Sequence, residues 1–405
     1  MKQDLRTRTV LRLGALGLIL IGSGCATGNL DHARSQFYSG HPQEAAKTLA
    51  EEKTSGKDRV LVLMERGIIR QGAGQYEESV SDFRQAYAEI ERMTTVQVSQ
   101  DTTSMVVNDK VQDFRGAPYE RTMIHVFAAQ SHLAMGNWEN AAVEARRIIN
   151  SLTPEAKGDY PDDAFSRYMA GFCLEMMDDF SNAALQYRKA SELGASATID
   201  EKTGRLGPAS SDDEKTKIDQ QTWDNELVCF VSMGRSASGD TQSLDVWKSA
   251  SPHYAEIKYE GKVLGRSYTL TDTIDLAFTT EQKEAAKKFV KSAARVAVKE
   301  TIAYQIEGNN EALGELVRFV LIGLLEAPDL RRWETLPRWL QVARVPCPPD
   351  LKEFDIVYKT SSGVTTRTVH VTQPIQRRRN TRVAICRDVV PATAPLEVPT
   401  TVVSE

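Results

Sequence analysis

The chain reads as an α+β protein: an N-terminal all-α array of repeated helical hairpins, followed by a smaller α+β domain with an antiparallel sheet. Three observations predict this. Four segments of the N-terminal half share one pattern of turn, aromatic and small residue; a polar stretch then breaks the helical period; and beyond it come short apolar runs of strand length. The boundaries that follow are a leader at 1–24, the array at 25–195, a linker at 196–224, the α+β domain at 225–388 and a flexible tail at 389–405. At 405 residues, with 41% hydrophobic and 26% charged residues, the chain is long enough for two domains with separate cores. Its net charge of -5 gives no reason to expect a nucleic-acid partner.

The leader comes first. Lys2, Arg6, Arg8 and Arg12 precede and enter an apolar stretch from Val10 to Ile21, which Gly22, Ser23 and Gly24 join to Cys25. This layout resembles a bacterial lipoprotein signal peptide, in which small residues admit the peptidase and the cysteine becomes the lipidated N-terminus. The resemblance implies lipidation at Cys25, although Gly22 stands three places before it where such signals usually carry leucine. An ordinary secretory signal cut nearby is the alternative. A spanning anchor fits poorly, because Arg12 and the glycines leave the run short of the roughly 20 apolar residues a transmembrane helix needs. Ala26, rather than the Asp of inner-membrane retention, follows the cysteine. By that analogy the expected address is the outer membrane, lipid-anchored and facing the periplasm.

The array is built from four turns: Gly40-His41-Pro42-Gln43-Glu44-Ala45, Gly74-Gln75-Tyr76-Glu77-Glu78-Ser79, Gly136-Asn137-Trp138-Glu139-Asn140-Ala141 and Asp178-Asp179-Phe180-Ser181-Asn182-Ala183. The second continues through Phe83 and Ala86, the fourth through Tyr187 and Ala190. A glycine or polar residue permits the tight turn, the aromatic wedges the pair, and small residues such as Ala141 and Ala183 let the helices approach. The segments resemble the tetratricopeptide repeat, and the 34-residue step from Gly40 to Gly74 matches its period. The later steps are longer, so insertions interrupt the array. The longest, from about Met93 to Pro118, reads either as a disordered excursion or as a loop covering the array's edge. Arg66 and Arg70 occupy places where the repeat expects apolar residues. Carrying over the family register puts Met64, Ile68, Val126, Gln130, Tyr168 and Phe172 on the concave, partner-binding face, with core filling as the competing role.

From Gly194 to Trp223 a solvated linker is expected. Strands are predicted at 227–231, 254–259, 339–345, 354–358, 366–371 and 382–386. Between them lies a helix from Thr280 to Ile306 with a basic stripe that includes Lys287, Lys291 and Arg295, then an apolar helix near 310–325. The stripe is a candidate contact for an anionic surface, against the commoner role of a solvated face. The turn Arg377-Arg378-Arg379-Asn380 reads as a polar hairpin tip or an anion contact. Cys347 and Cys386 flank strands of one domain and either pair in an oxidising compartment or stay free. Trp333, at the passage from helices to sheet, is expected to close the core between them.

The stretch from Ala327 to Pro337, with Gln341 to Val345, Pro118 to Arg121, Ala142 to Arg147 and Met233-Gly234-Arg235, resembles uncharacterised bacterial tetratricopeptide lipoproteins. That family brings no activity to carry over. No zinc-protease spacing, nucleophile elbow, phosphate loop or dinucleotide fingerprint occurs, so no catalytic residue, metal or cofactor is expected. The leading expectation is an envelope lipoprotein that binds or scaffolds protein partners through its repeats. The alternatives are an enzyme, or enzyme activator, acting on peptidoglycan or polysaccharide, and a secretion or assembly component.

Overall fold

The computed structural model describes residues 25–50, 56–98, 113–153, 161–194, 197–209, 218, 223–236, 251–281, 331–372 and 375–388. The leader before Cys25, the basic stripe with Lys287, Lys291 and Arg295, the apolar helix near 310–325 and the tail lie outside these residues.

Eight helices form four antiparallel hairpins among the described residues: α1 (Cys25–Tyr38) with α2 (Pro42–Ala50), α3 (Arg59–Gly72) with α4 (Tyr76–Val98), α5 (Pro118–Ala134) with α6 (Trp138–Ser151), and α7 (Ala164–Glu175) with α8 (Phe180–Leu193). Each hairpin turns the same way. Gly40, Gly74, Gly136 and Asp178 all have positive φ, between 66° and 85°. Their N–H groups bond the carbonyls of Phe37, Gln71, Leu133 and Glu175, and the next N–H reaches back to Gln36, Arg70, His132 and Leu174. This paired pattern satisfies the last carbonyls of each first helix and requires a left-handed residue after it. Glycine supplies that conformation three times; Asp178 supplies it once, as one of the few side chains that tolerates it.

A second repeated relationship fixes how close each pair can come. Gly67 of α3 lies so near the Phe83 ring of α4 that an added Cβ would sit 2.5 Å from it, and Gly171 of α7 stands likewise 3.0 Å from Tyr187 of α8. The equivalent pairs in the other hairpins are Ala33 with Leu49 and Ala129 with Ala145, all buried. Arg66 and Arg70, the expected apolar places of the second hairpin, both bond the Asp82 carboxylate, at 2.7 Å through Nη2 and Nη1. A buried counter-charge on the facing helix thus replaces apolar packing there. Helix α4 also runs on to Val98, into the region read as irregular from Met93.

Among the described residues eleven strands follow: β1 (Ala197–Ile199), β2 (Leu206–Pro208), β3 (Glu226–Met233), β4 (Tyr254–Tyr259), β5 (Lys262–Arg266), β6 (Tyr268–Asp272), β7 (Trp339–Pro346), β8 (Phe354–Lys359), β9 (Thr365–Val371), β10 (Ile375–Arg378) and β11 (Thr381–Arg387). They make a two-stranded ribbon β1-β2, a five-stranded sheet β10-β11-β3-β7-β6 and a four-stranded sheet β5-β4-β8-β9. One small antiparallel sheet was expected; the larger sheet instead carries a parallel pair, β11 on β3, with Ala384 opposite Cys229. The stretch expected as a linker holds the β1-β2 ribbon, with Ile199 and Leu206 buried.

The five-stranded sheet is buried on both faces. From β3, Leu227, Cys229, Val231 and Met233 point toward Ile257, Ile356 and Tyr358 of the four-stranded sheet. Val228 and Phe230 point the other way, into the helices. The period of two along a strand makes this division. On the helical side one apolar core runs without a break from Leu30 of α1 to Val383 of β11. Two apolar clusters are present among the described residues, but one of them is shared between the helices and one face of the five-stranded sheet, and the other lies between the two sheets.

All four described thiols outside the leader junction are free. Cys386 lies opposite Val231, which pairs with Gln341, whereas the backbone N–H of Cys347 bonds the Asn225 carbonyl at the other end of β3. Six strand residues separate those levels, about 20 Å at 3.3 Å per residue. A Cys347–Cys386 bridge cannot close over that span.

Candidate functional site

A buried polar junction is found where the helices meet the segment 331–336. Trp333 is fully buried there, its ring 5.9 Å from those of both Phe83 on α4 and Phe127 on α5. Its indole N–H donates to Thr335 Oγ1 at 3.1 Å. The backbone on either side is gripped by helix side chains. The N–H of Trp333 donates to Glu120 Oε1 at 2.9 Å, and those of Glu334 and Thr335 donate to Glu65 Oε1 and Oε2 at 2.8 and 3.1 Å. The carbonyl of Glu334 accepts from Tyr38 Oη at 2.7 Å and that of Thr335 from Arg387 Nη2 at 2.6 Å. Upstream, Arg331 pairs with Asp58 at 2.7 Å and lies over the Phe114 ring.

Two buried carboxylates therefore hold three consecutive backbone N–H groups. Their electrostatics differ. Glu65 also receives Arg34, Nη2 to Oε1 at 2.6 Å, so its charge is directly balanced. Glu120 accepts only backbone N–H groups, from Trp333 and, at 2.7 Å, from Ala117. Burial raises its pKa, and the two N–H bonds and the charge of Arg332 bring it only partly back, to about 7 from an ordinary 4.5. Glu120 sits at the third position of α5, so its side chain also closes the helix start by bonding the N-cap N–H.

A second clamp joins the array's far end to the sheet. Arg344 on β7 is buried between Glu175, at the end of α7, and Glu226, at the start of β3; Nη2 lies 2.7 Å from Glu175 Oε1, and Nη2 also bonds Glu226 Oε1. Nε of the same guanidinium reaches Glu226 Oε2 at 3.0 Å. Burial raises the Glu226 pKa, but Arg344 outweighs it and the net shift is downward. The arginine tip of the β10-β11 hairpin meets the helix turns rather than solvent alone: Arg378 lies over Trp138, Arg379 over Phe180 and against Asp178, and Gln376 Nε2 bonds the Ala134 carbonyl at 2.8 Å.

The six residues expected on a partner-binding face are all interior. Met64, Val126, Gln130, Tyr168 and Phe172 have no exposed surface, and Ile68 has 1%. Phe172 and Tyr168 pack on Phe230 of β3 at 5.2 and 6.3 Å, and Tyr168 Oη bonds the Gly204 carbonyl at 2.6 Å. All six are thus enclosed by the chain itself, Tyr168 and Phe172 by the sheet, so none of them is exposed to a partner in this conformation. Gln130 keeps both amide atoms without a hydrogen-bond partner, and the structure offers no account of it. Lys287, Lys291 and Arg295 lie outside the described residues, and of Cys25 the structure describes only its place at the start of α1.

His125 and His132 are structural. His125 Nδ1 lies 2.8 Å from Glu144 and its ring 4.5 Å from Tyr87. Among the described residues no three His, Cys, Asp or Glu side chains are placed to hold a metal ion, and no helix is long and apolar enough to cross a membrane. The two gripping carboxylates escaped sequence reading, although one signal was there: Glu65 and Glu120 each stand inside a helix whose neighbours are nearly all buried.

No protein-family model matches the chain, and no curated protein does. Among solved structures it is similar to the MamA RS-1 ArsTM double mutant, at 15% identity over 42% of this chain and 74% of that one, with a TM-score of 0.29. It is similar also to MamA 41-end from Desulfovibrio magneticus RS-1, at 16% identity over 42% of this chain and 94% of that one, with a TM-score of 0.20. Likeness at these scores adds nothing to the helical hairpins and the clamps already described.

Proposed function

We propose that the protein is a membrane-anchored periplasmic lipoprotein that binds or scaffolds protein partners in the cell envelope, without being an enzyme. One observation supports the binding role above all: the helices hold a turn of the chain's own polypeptide, at 333–336, through carboxylates aimed at its backbone N–H groups. The address rests on the leader and Cys25. Because the six residues expected to meet a partner are interior, partner contact falls to the outer helices, where Val143 on α6 and Phe180 and Leu193 on α8 expose large apolar surface. Exposed apolar groups on a rigid array are suited to a protein surface.

Photo-crosslinking residues placed at Val143 and Leu193 in intact envelopes test this reading. The expected result is one protein adduct shared by both positions, with no adduct from a crosslinker at the interior position Met64. Recovery of glycan without protein from the outer positions would overturn the scaffold reading in favour of the polysaccharide one.

A further inference from the structure

We infer that Glu120 makes the junction between the helices and the 331–336 segment a pH-responsive latch, tight when its carboxyl is protonated and loosened when it ionises. The inference rests on an asymmetry between the two carboxylates that grip the segment. Glu65 is fully buried and carries Arg34 as its counter-ion at 2.6 Å. Glu120 is as deeply placed, at 2% exposure, and among the described residues no arginine or lysine bonds it.

Among the described residues, charged and titratable groups face Glu120 from three elements. From the gripped segment comes Arg332, whose own guanidinium is paired with Glu281. From α3 comes Glu65, a like charge already matched to Arg34. From its own helix comes Tyr119, buried and kept neutral by that burial, while Arg121 turns back to the carbonyls of Arg115 and Gly116 at 3.1 Å. The residue whose N–H it accepts, Trp333, is itself packed between the rings of Phe83 and Phe127. An ionised Glu120 is thus dehydrated with two dipoles and one distant, shared cation in return, which does not repay the loss of water. Its raised pKa, about 7, agrees with this geometry.

The sign follows from linkage. A folded pKa above the ordinary 4.5 means that the closed junction holds the proton more tightly than the open one. Closure is therefore favoured below pH 4.5 and loses that support as pH rises through about 7. Each unit of pKa difference is worth about a tenfold change in the opening equilibrium.

Hydrogen exchange of residues 331–336 in the full mature chain, corrected for intrinsic chemistry and referred to β3, reads the opening directly. Between pH 5 and pH 8 opening should increase on the order of tenfold or more in this segment and stay level in β3. In Glu120→Gln that dependence should vanish, while Glu65→Gln should retain it. Carboxyl carbon titration of Glu120 in the unsubstituted protein keeps the inference testable should the variant not fold. Opening that is independent of pH, a dependence that survives Glu120→Gln, or a Glu120 midpoint in the ordinary carboxylate range would each overturn it.

Discussion

Glu65 and Thr335 belong to opposite halves of the chain, yet the backbone N–H of Thr335 donates to Glu65 Oε2 at 3.1 Å while Oε1 of the same carboxylate takes Arg34 and the N–H of Glu334. A single side chain on α3 thus fixes both the first hairpin and the gripped segment.

Replacing Glu65 with leucine should therefore cost about 3–5 kcal/mol, because Arg34 is left buried without its partner and two backbone N–H groups lose their acceptor. Thermal melting of the full mature chain checks this. An unchanged midpoint would mean that the segment is held by Trp333 and the other polar contacts without Glu65.

Trp333 fills the space between Phe83 and Phe127 with no exposed surface. Trp333→Ala should lower stability by about 3–5 kcal/mol, and Trp333→Phe by clearly less. Equal losses for both would point to the indole N–H bond with Thr335, not ring burial, as the dominant contribution.

At Gly67 two effects oppose each other. Alanine in a helix interior is favoured over glycine by about 1 kcal/mol. A Cβ here, however, would lie 2.5 Å from a Phe83 ring that Trp333 already holds in place, and such overpacking costs about 1–3 kcal/mol. The net expectation is a lower melting midpoint for Gly67→Ala, as for Ala141→Leu at the equally crowded α5-α6 approach, where Ala141 is fully buried. A raised midpoint for Gly67→Ala would show that the ring moves aside.

The Arg344 clamp should shape the acid side of the stability profile. Glu226 has its pKa lowered below 4.5 by Arg344 against the opposing effect of burial, so its contribution is complete above pH 4.5 and is lost as pH falls through the lowered value. Arg344→Met should cost about 3–5 kcal/mol at neutral pH by stranding Glu175 and Glu226. It should also flatten the decline below pH 4.5. Denaturant titrations of both proteins across pH 3–7 give the comparison.

The anchor makes the simplest prediction. Only the thiol of Cys25 can accept a lipid in the manner the leader implies, so Cys25→Ala should move the protein out of the membrane fraction with its melting curve unchanged. Membrane retention after signal cleavage would refute the tether.

Much of this architecture was legible because turns and alternation are local. Gly40, Gly74, Gly136 and Asp178 announced the hairpins, since a left-handed residue is required where each first helix ends. Strand β4 showed its half-buried alternation, and β3 its continuous apolar run. The shorter strands β1, β2, β5, β6 and β10 were not seen, being three to five residues long with little pattern of their own. Tyr168 and Phe172, expected on a partner-binding face, pack instead on Phe230 of the chain's own sheet. Which surface covers them depends on contacts between distant parts of the chain, and periodicity carries no trace of those.

The parallel pairing of β11 with β3 has a consequence for how the molecule is made. Thr381 and Glu226, joined by a hydrogen bond at 3.1 Å, are 155 residues apart, and β11 lies inside the sheet rather than at its rim. During synthesis from the N-terminus, β3 must wait with one edge unsatisfied until nearly the whole chain has emerged. A strand edge of eight buried residues left open for that interval invites pairing with other chains. Translation ending before Thr381 would make that exposure permanent, so β11 guards the edge of β3 against pairing with other chains.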